Sequence, residues 1–203
     1  MTAYIWDLDG TLLDSYALIT VAAVRAAADA GVRDTEAHVL KAVKQGSVTA
    51  YLTDVSRRCG EPFDSLMQRY RTHTHASDGQ IGLVDGAAET LERLRRAGAA
   101  HFVYTHRGKS SEPILRRLGI LDYFREVVTS VYGFGPKPSG EGVRYLLEKY
   151  GLDPAQTWYA GDRTLDVHCA KDAGVNALLY LPEGSCVAET GLEDRVVRDL
   201  REI

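Results

Sequence analysis

Two rhythms of apolar and polar residues run along this chain, and the change between them divides it. From residue 84 onward, short apolar runs at Phe102–Thr105, Val127–Val131, Thr157–Ala160 and Ala177–Leu181 alternate with amphipathic segments such as Ala87–Ala97 and Gly140–Tyr150. This alternation predicts an α/β fold, a Rossmann-like parallel sheet with helices on both faces. Ligands of such sheets bind beyond the carboxyl ends of the strands. The amino terminus, Tyr4-Ile5-Trp6, enters a strand directly. Between Ser15 and Leu83 the pattern turns helical without strands: Leu18 to Ala30 is Ala-rich, Val48, Leu52 and Val55 share a face, and so do Phe63, Met67 and Tyr70. Gly31, Gly46 and Gly60-Glu61-Pro62 punctuate these helices. The expected organisation is a core formed by residues 1–14 and 84–203, with a small all-helical insertion at 15–83.

Composition narrows the function classes. With 203 residues, 45% of them hydrophobic, the chain can bury one core and a modest insertion. A formal charge of -4 offers no basic stripe for nucleic acid. No apolar run is long enough to span a bilayer and no signal peptide is evident, so a cytoplasmic location without membrane attachment is expected. Cys59, Cys169 and Cys186 are odd in number and lack metal-type spacing, which fits reduced thiols.

The chemistry concentrates in Asp7-Leu8-Asp9-Gly10-Thr11, where two carboxylates stand one residue apart at a strand end. Strand side chains alternate, so Asp7 and Asp9 can project to one side while Leu8 packs on the other. Gly10 permits a sharp backbone change, and Thr11 can hydrogen-bond within the turn. Three more segments follow in order: Phe102-Val103-Tyr104-Thr105-His106-Arg107, Gly135-Pro136-Lys137-Pro138, and Trp158-Tyr159-Ala160-Gly161-Asp162-Arg163-Thr164-Leu165-Asp166. Each is short, but four in order at suitable spacings are specific.

In this order the four segments resemble the haloacid dehalogenase superfamily, and the chain is similar to its phosphatases, with residues 15–83 resembling the family's helical cap. The resemblance implies a Mg²⁺-dependent enzyme acting on a small phosphorylated substrate, as a monomer or weak homodimer. It implies Asp7 as nucleophile, forming an aspartyl-phosphate, and Asp9 as acid and then base. Asp162 would be a metal ligand, with an Asp7 side-chain oxygen and the Asp9 backbone carbonyl. Asp166, one helical turn on, would orient metal-bound water or Lys137. Thr105 would hold phosphoryl oxygens, and Lys137, stiffened by flanking prolines, would neutralise charge and lower the pKa of Asp7. His106 and Arg107 would border the phosphate or the distal end of the substrate. The loop Lys44-Gln45-Gly46-Ser47-Val48-Thr49 resembles a cap specificity loop, with Lys44, Gln45 and Thr49 as readers of the leaving group. His73 and His75, two apart on a helix, point apart and are not expected to share a metal.

Two alternatives accompany this expectation. A phosphomutase resembling β-phosphoglucomutase would share all four motifs, yet its first cap helix carries a histidine where Ile19 stands here. A non-catalytic interaction module would be suggested by a missing motif residue, and none is missing.

Overall fold

A computed structural model describes residues 1–203. In chain order the elements are β1 (Ala3–Trp6), β2 (Leu13–Asp14), α1 (Tyr16–Ala28), α2 (Glu36–Gln45), α3 (Val48–Cys59), α4 (Phe63–Ser77), β3 (Gly82–Leu83), α5 (Ala87–Arg96), β4 (Ala100–Tyr104), α6 (Ser111–Arg117), β5 (Phe124–Val128), α7 (Glu141–Tyr150), β6 (Thr157–Gly161), α8 (Thr164–Asp172), β7 (Asn176–Tyr180) and β8 (Arg195–Val197). They form two compact units, one of residues 1–14 and 82–203, the other of 15–81. Gly82 and Leu83 belong to the first unit, two residues earlier than the pattern suggested. They pair antiparallel with Leu13–Asp14, a two-residue ladder too short to leave an alternating signature.

The first unit is built on a six-stranded sheet of order β5-β4-β1-β6-β7-β8, every neighbouring pair parallel. The chain builds one side of β1 with β4 and β5, then crosses to build the other with β6, β7 and β8. Such a reversal opens a crevice at the carboxyl end of the central strand. Register makes this specific: Trp6 pairs with Val103 on one side and Ala160 on the other, so Asp7, Thr105 and Asp162 all follow strands that end together. The core around β1 is closely filled by Ile5, Phe102, Tyr159, Leu146 and Leu179, all fully buried. The strand expected at 127–131 begins three residues earlier, at Phe124, and ends at Val128 because Thr129 caps a short turn over Ser130–Tyr132. The strand β8 and the helix α6 had no clear pattern in the sequence.

The second unit is a four-helix cluster. Ala23, Ala26 and Ala27 of α1 are fully buried, and their small side chains permit close approach to Val39, Leu52, Val55 and Leu66. In α4, Leu66 is the fully buried anchor, whereas Phe63, Met67 and Tyr70 pack only at its margin. His73 pairs with Asp29 and His75 with Asp78, so the two histidines serve different partners. No helix of the chain is long and apolar enough to cross a membrane. None of the three cysteines forms a disulfide.

One buried pair in the first unit has a consequence for stability. The Trp6 indole N–H donates to His101 Nδ1 at 3.0 Å, and the Tyr4 ring stacks on both. His101 is only 1% exposed. Burial pushes its pKa down from 6.5 to about 4. Above about pH 6.5 the imidazole is neutral whether folded or unfolded, and no stability changes hands. Between about 6.5 and 4 only the unfolded chain takes the proton, so stability falls as the solution is acidified, by up to roughly 3 kcal/mol. His106 is depressed to a similar value, so the two histidines share the acid-side loss. His101→Gln keeps an acceptor for Trp6 and removes the titration. Urea unfolding at pH 7 and pH 4.5 should show a smaller acid-induced loss in this variant than in the parent; an unchanged loss would refute the assignment.

Candidate active site

Three strand ends and one loop converge at the crevice. Asp7 follows β1, and its backbone N–H continues the sheet by donating to Ala160 O at 2.9 Å. The chain then turns sharply: Leu8 O accepts the N–H groups of Thr11, Leu12 and Leu13, and Gly10 adopts φ 84°, a left-handed conformation that a side chain would strain. Thr11 therefore serves the turn through its backbone, while its buried hydroxyl makes no hydrogen bond, contrary to the simplest expectation. Asp7 is 1% exposed, but Asp9, two residues on, is partly open.

Lys137 lies at the centre. Its Nζ is 2.8 Å from Asp7 Oδ1 and 2.8 Å from Asp166 Oδ1, fully removed from solvent. The rings of Tyr104 and Tyr159 face the ammonium at 5.7 and 5.2 Å. Its backbone N–H donates to His106 Nε2 at 2.7 Å. His106 thus engages the Lys137 loop. That acceptor role requires the neutral ring, which burial and the adjacent Lys137 charge favour by pushing its pKa down to about 4.

Asp166 is held on both oxygens, Oδ1 by Lys137 and Oδ2 by the Arg163 backbone N–H at 3.1 Å. It lies in the first turn of α8, four residues after Asp162, itself 1% exposed. A Cβ on Gly161 would lie 2.3 Å from the Asp166 Cβ, so only glycine at this position lets the carboxylate reach Lys137. Thr105, 1% exposed, accepts the Arg107 backbone N–H at 3.1 Å on its hydroxyl oxygen. The Arg107 guanidinium reaches across to Asp9, Nε lying 3.1 and 3.2 Å from its two oxygens and one terminal nitrogen 2.6 Å from Oδ1.

One cation here was not singled out from the sequence. Arg163 is 8% exposed, and a terminal nitrogen of its guanidinium lies 4.0 Å from Asp7 Oδ2. Its position beside Asp162 was the only available signal.

The electrostatics follow from burial. Removal from water pushes Asp7 above the ordinary carboxylate range; Lys137 and Arg163 pull against this without overcoming it. Lys137 therefore does not produce the lowered Asp7 expected, because burial outweighs it and Asp166 shares the cation. Burial would raise Asp166 too, but Lys137, Arg163 and the Arg163 N–H outweigh it and hold it down. Burial opposes the charge on Lys137, and the two carboxylates raise its pKa regardless.

Carboxylate oxygens of Asp7, Asp162 and Asp166 all lie within 4.8 Å of one another. Asp7 Oδ2 is buried without a hydrogen-bond partner. Three carboxylates face two cations, so the pocket carries an excess negative charge. An all-oxygen donor set with that excess fits a hard divalent cation such as Mg²⁺.

Lys44, Gln45 and Thr49 belong to the other unit. Lys44 and Gln45 end α2, the Lys44 ammonium lies 4.4 Å from the centre of the Tyr16 ring, and Thr49 sits in the first turn of α3, which Ser47 caps.

A phosphoglycolate phosphatase of Vibrio vulnificus is 32% identical over 185 residues, covering 83% of this chain and 78% of its own. The pyrophosphatase PpaX of Bacillus velezensis is 28% identical over 181 residues, with 86% and 80% covered. A crystal structure of a predicted phosphoglycolate phosphatase from Haemophilus somnus shares the fold, with a TM-score of 0.86 at 22% identity over 100% of this chain and 96% of that one. Residues 4–180 match the haloacid dehalogenase-like hydrolases, and the chain belongs to that family.

Proposed function

We propose that this chain is a Mg²⁺-dependent phosphatase that hydrolyses a small phosphorylated metabolite, phosphoglycolate-like or a sugar phosphate, through an aspartyl-phosphate on Asp7. The observation that carries this reading is the state of Asp7. One oxygen is fixed by Lys137 at 2.8 Å, and the other is buried, without a hydrogen-bond partner, in the cluster with Asp162. A carboxylate oriented in this way on a rigid strand end is prepared for in-line attack. The names of the curated relatives, a phosphoglycolate phosphatase and a pyrophosphatase, support phosphoryl transfer to water.

Asp7, Asp162 and the Asp9 backbone carbonyl would hold the Mg²⁺, which when bound neutralises phosphate charge. In the first step an Asp7 oxygen forms a bond to phosphorus as the bond to the leaving oxygen breaks, and Asp9 gives that oxygen its proton. In the second, water attacks phosphorus, Asp9 takes its proton, and the bond to Asp7 breaks to release phosphate. Thr105 and Lys137 bind the phosphoryl oxygens, and Asp166 and His106 keep Lys137 in place. Ile19, buried in α1, stands where the phosphomutase alternative expects a histidine.

A panel of phosphorylated metabolites, assayed with Mg²⁺ and with EDTA, tests the proposal. At least one ester should be hydrolysed with Mg²⁺, and EDTA should reduce turnover by about a hundredfold or more, reversibly. Hydrolysis indifferent to EDTA, or none across the panel, would overturn the reading.

A further inference from the structure

Arg107 is built more elaborately than a residue bordering the substrate requires. Its backbone is fixed at both ends, the N–H on Thr105 Oγ1 and the C=O accepting from Ser130 N at 3.1 Å. The guanidinium extends from this anchor into a fork on both oxygens of Asp9. The Arg107 side chain is 10% exposed, against 21% for Asp9. The cation is therefore the more deeply buried partner, and its planar fork is shaped to receive an oxyanion.

This arrangement conflicts with the task assigned to Asp9. To serve the leaving oxygen, the Asp9 carboxylate must give up the fork. Withdrawing a carboxylate from a guanidinium nine-tenths removed from water is costly, and an incoming anion offsets that cost.

Resting on the phosphatase reading, we propose that Arg107 is a receptor for an anionic group on the leaving part of the substrate, and that in the free enzyme the Asp9 carboxylate occupies it. A substrate bearing an oxyanion close to the scissile bond displaces Asp9 toward the leaving oxygen and takes over the fork. The enzyme should thus select phosphate compounds whose leaving group carries a carboxylate or a second phosphate, over neutral alcohols.

The test uses a matched pair, 2-phosphoglycolate and 2-hydroxyethyl phosphate, which exchanges the carboxylate for a neutral carbinol, with inorganic pyrophosphate as the second anion. The parent should prefer at least one anionic compound over the neutral one by about tenfold or more in kcat/KM. In Arg107→Ala this ratio should collapse, chiefly through a raised KM for the anionic compound, and Arg107→Lys should recover only part of it. Any effect of a misplaced Asp9 cancels in the ratio of 2-phosphoglycolate to 2-hydroxyethyl phosphate, whose leaving oxygens are similarly basic. Whichever of carboxylate or phosphate loses more on substitution identifies the oxyanion. A parent without preference, or an Arg107→Ala variant that slows all three compounds equally, would overturn the inference while leaving the phosphatase intact. Failure of the parent to hydrolyse any ester of the metabolite panel would instead remove the function itself. Should Arg107→Ala not fold, the parent's preference and Arg107→Lys decide alone.

Discussion

Asp7→Asn is expected to abolish turnover while leaving the fold in place. The amide keeps the size of the carboxylate and the sheet hydrogen bond of residue 7 is a backbone one, so β1 and its neighbours lose nothing. Covalent attack at phosphorus loses its nucleophile, and the loss should reach several powers of ten. Burial penalises the charge on Asp7 and Lys137 keeps Asp166 as a counter-charge, so the melting temperature should stay near that of the parent. Substrate binding measured by calorimetry in this variant should survive, because Thr105 and Lys137 remain. Retention of more than about one per cent of the parent's turnover would show that Asp7 is not the nucleophile.

The second large effect is that of Lys137→Ala, which should lower kcat/KM by two or more powers of ten. The side chain sits 2.8 Å from each of two buried carboxylates, with no solvent to replace it. Like charges about 4 Å apart repel by roughly 4 kcal/mol at an effective dielectric of 20, and the incoming phosphate adds to the same crowd. Breaking a buried pair by removing one partner costs about 3–5 kcal/mol, so the variant should also be less stable. Added Mg²⁺ should restore part of that stability, since a cation among Asp7, Asp162 and Asp166 relieves the same repulsion. Lys137→Arg should rescue poorly, because a planar fork cannot occupy the place of a compact ammonium enclosed by Tyr104, Tyr159 and two prolines. A Lys137→Ala variant within threefold of the parent at saturating Mg²⁺ would reduce Lys137 to a structural role.

Much of the fold was legible in the sequence because its signals are local. Apolar runs such as Phe102–Thr105 and Thr157–Ala160 are long enough, and sufficiently bounded by helical periodicity, to announce buried parallel strands. Asp7, Asp9, Thr105, Lys137 and Asp162 stood out because the four short segments that carry them, in this order, resemble those of a known family. Two-residue ladders such as β2 and β3 carry too few positions to show a period, and Thr129 ends β5 through a cap that alternation does not register.

What lay beyond the sequence depends on which strand ends meet. Asp9 and Arg107 are 98 residues apart, and Lys137 and His106 are 31 apart. Their pairing follows from β1 lying between β4 and β6, a long-range order that no window of residues encodes. The net electrostatics were equally inaccessible. The resemblance implies that Lys137 lowers the pKa of Asp7; only the tertiary structure shows that burial dominates and that Asp166 shares the cation. Residue types thus determined by themselves which chemistry this chain can carry, since reactivity belongs to the side chain. Which groups face one another, and at what cost in lost water, was decided by the sheet register, because charge interactions depend on distance and dielectric rather than on order along the chain.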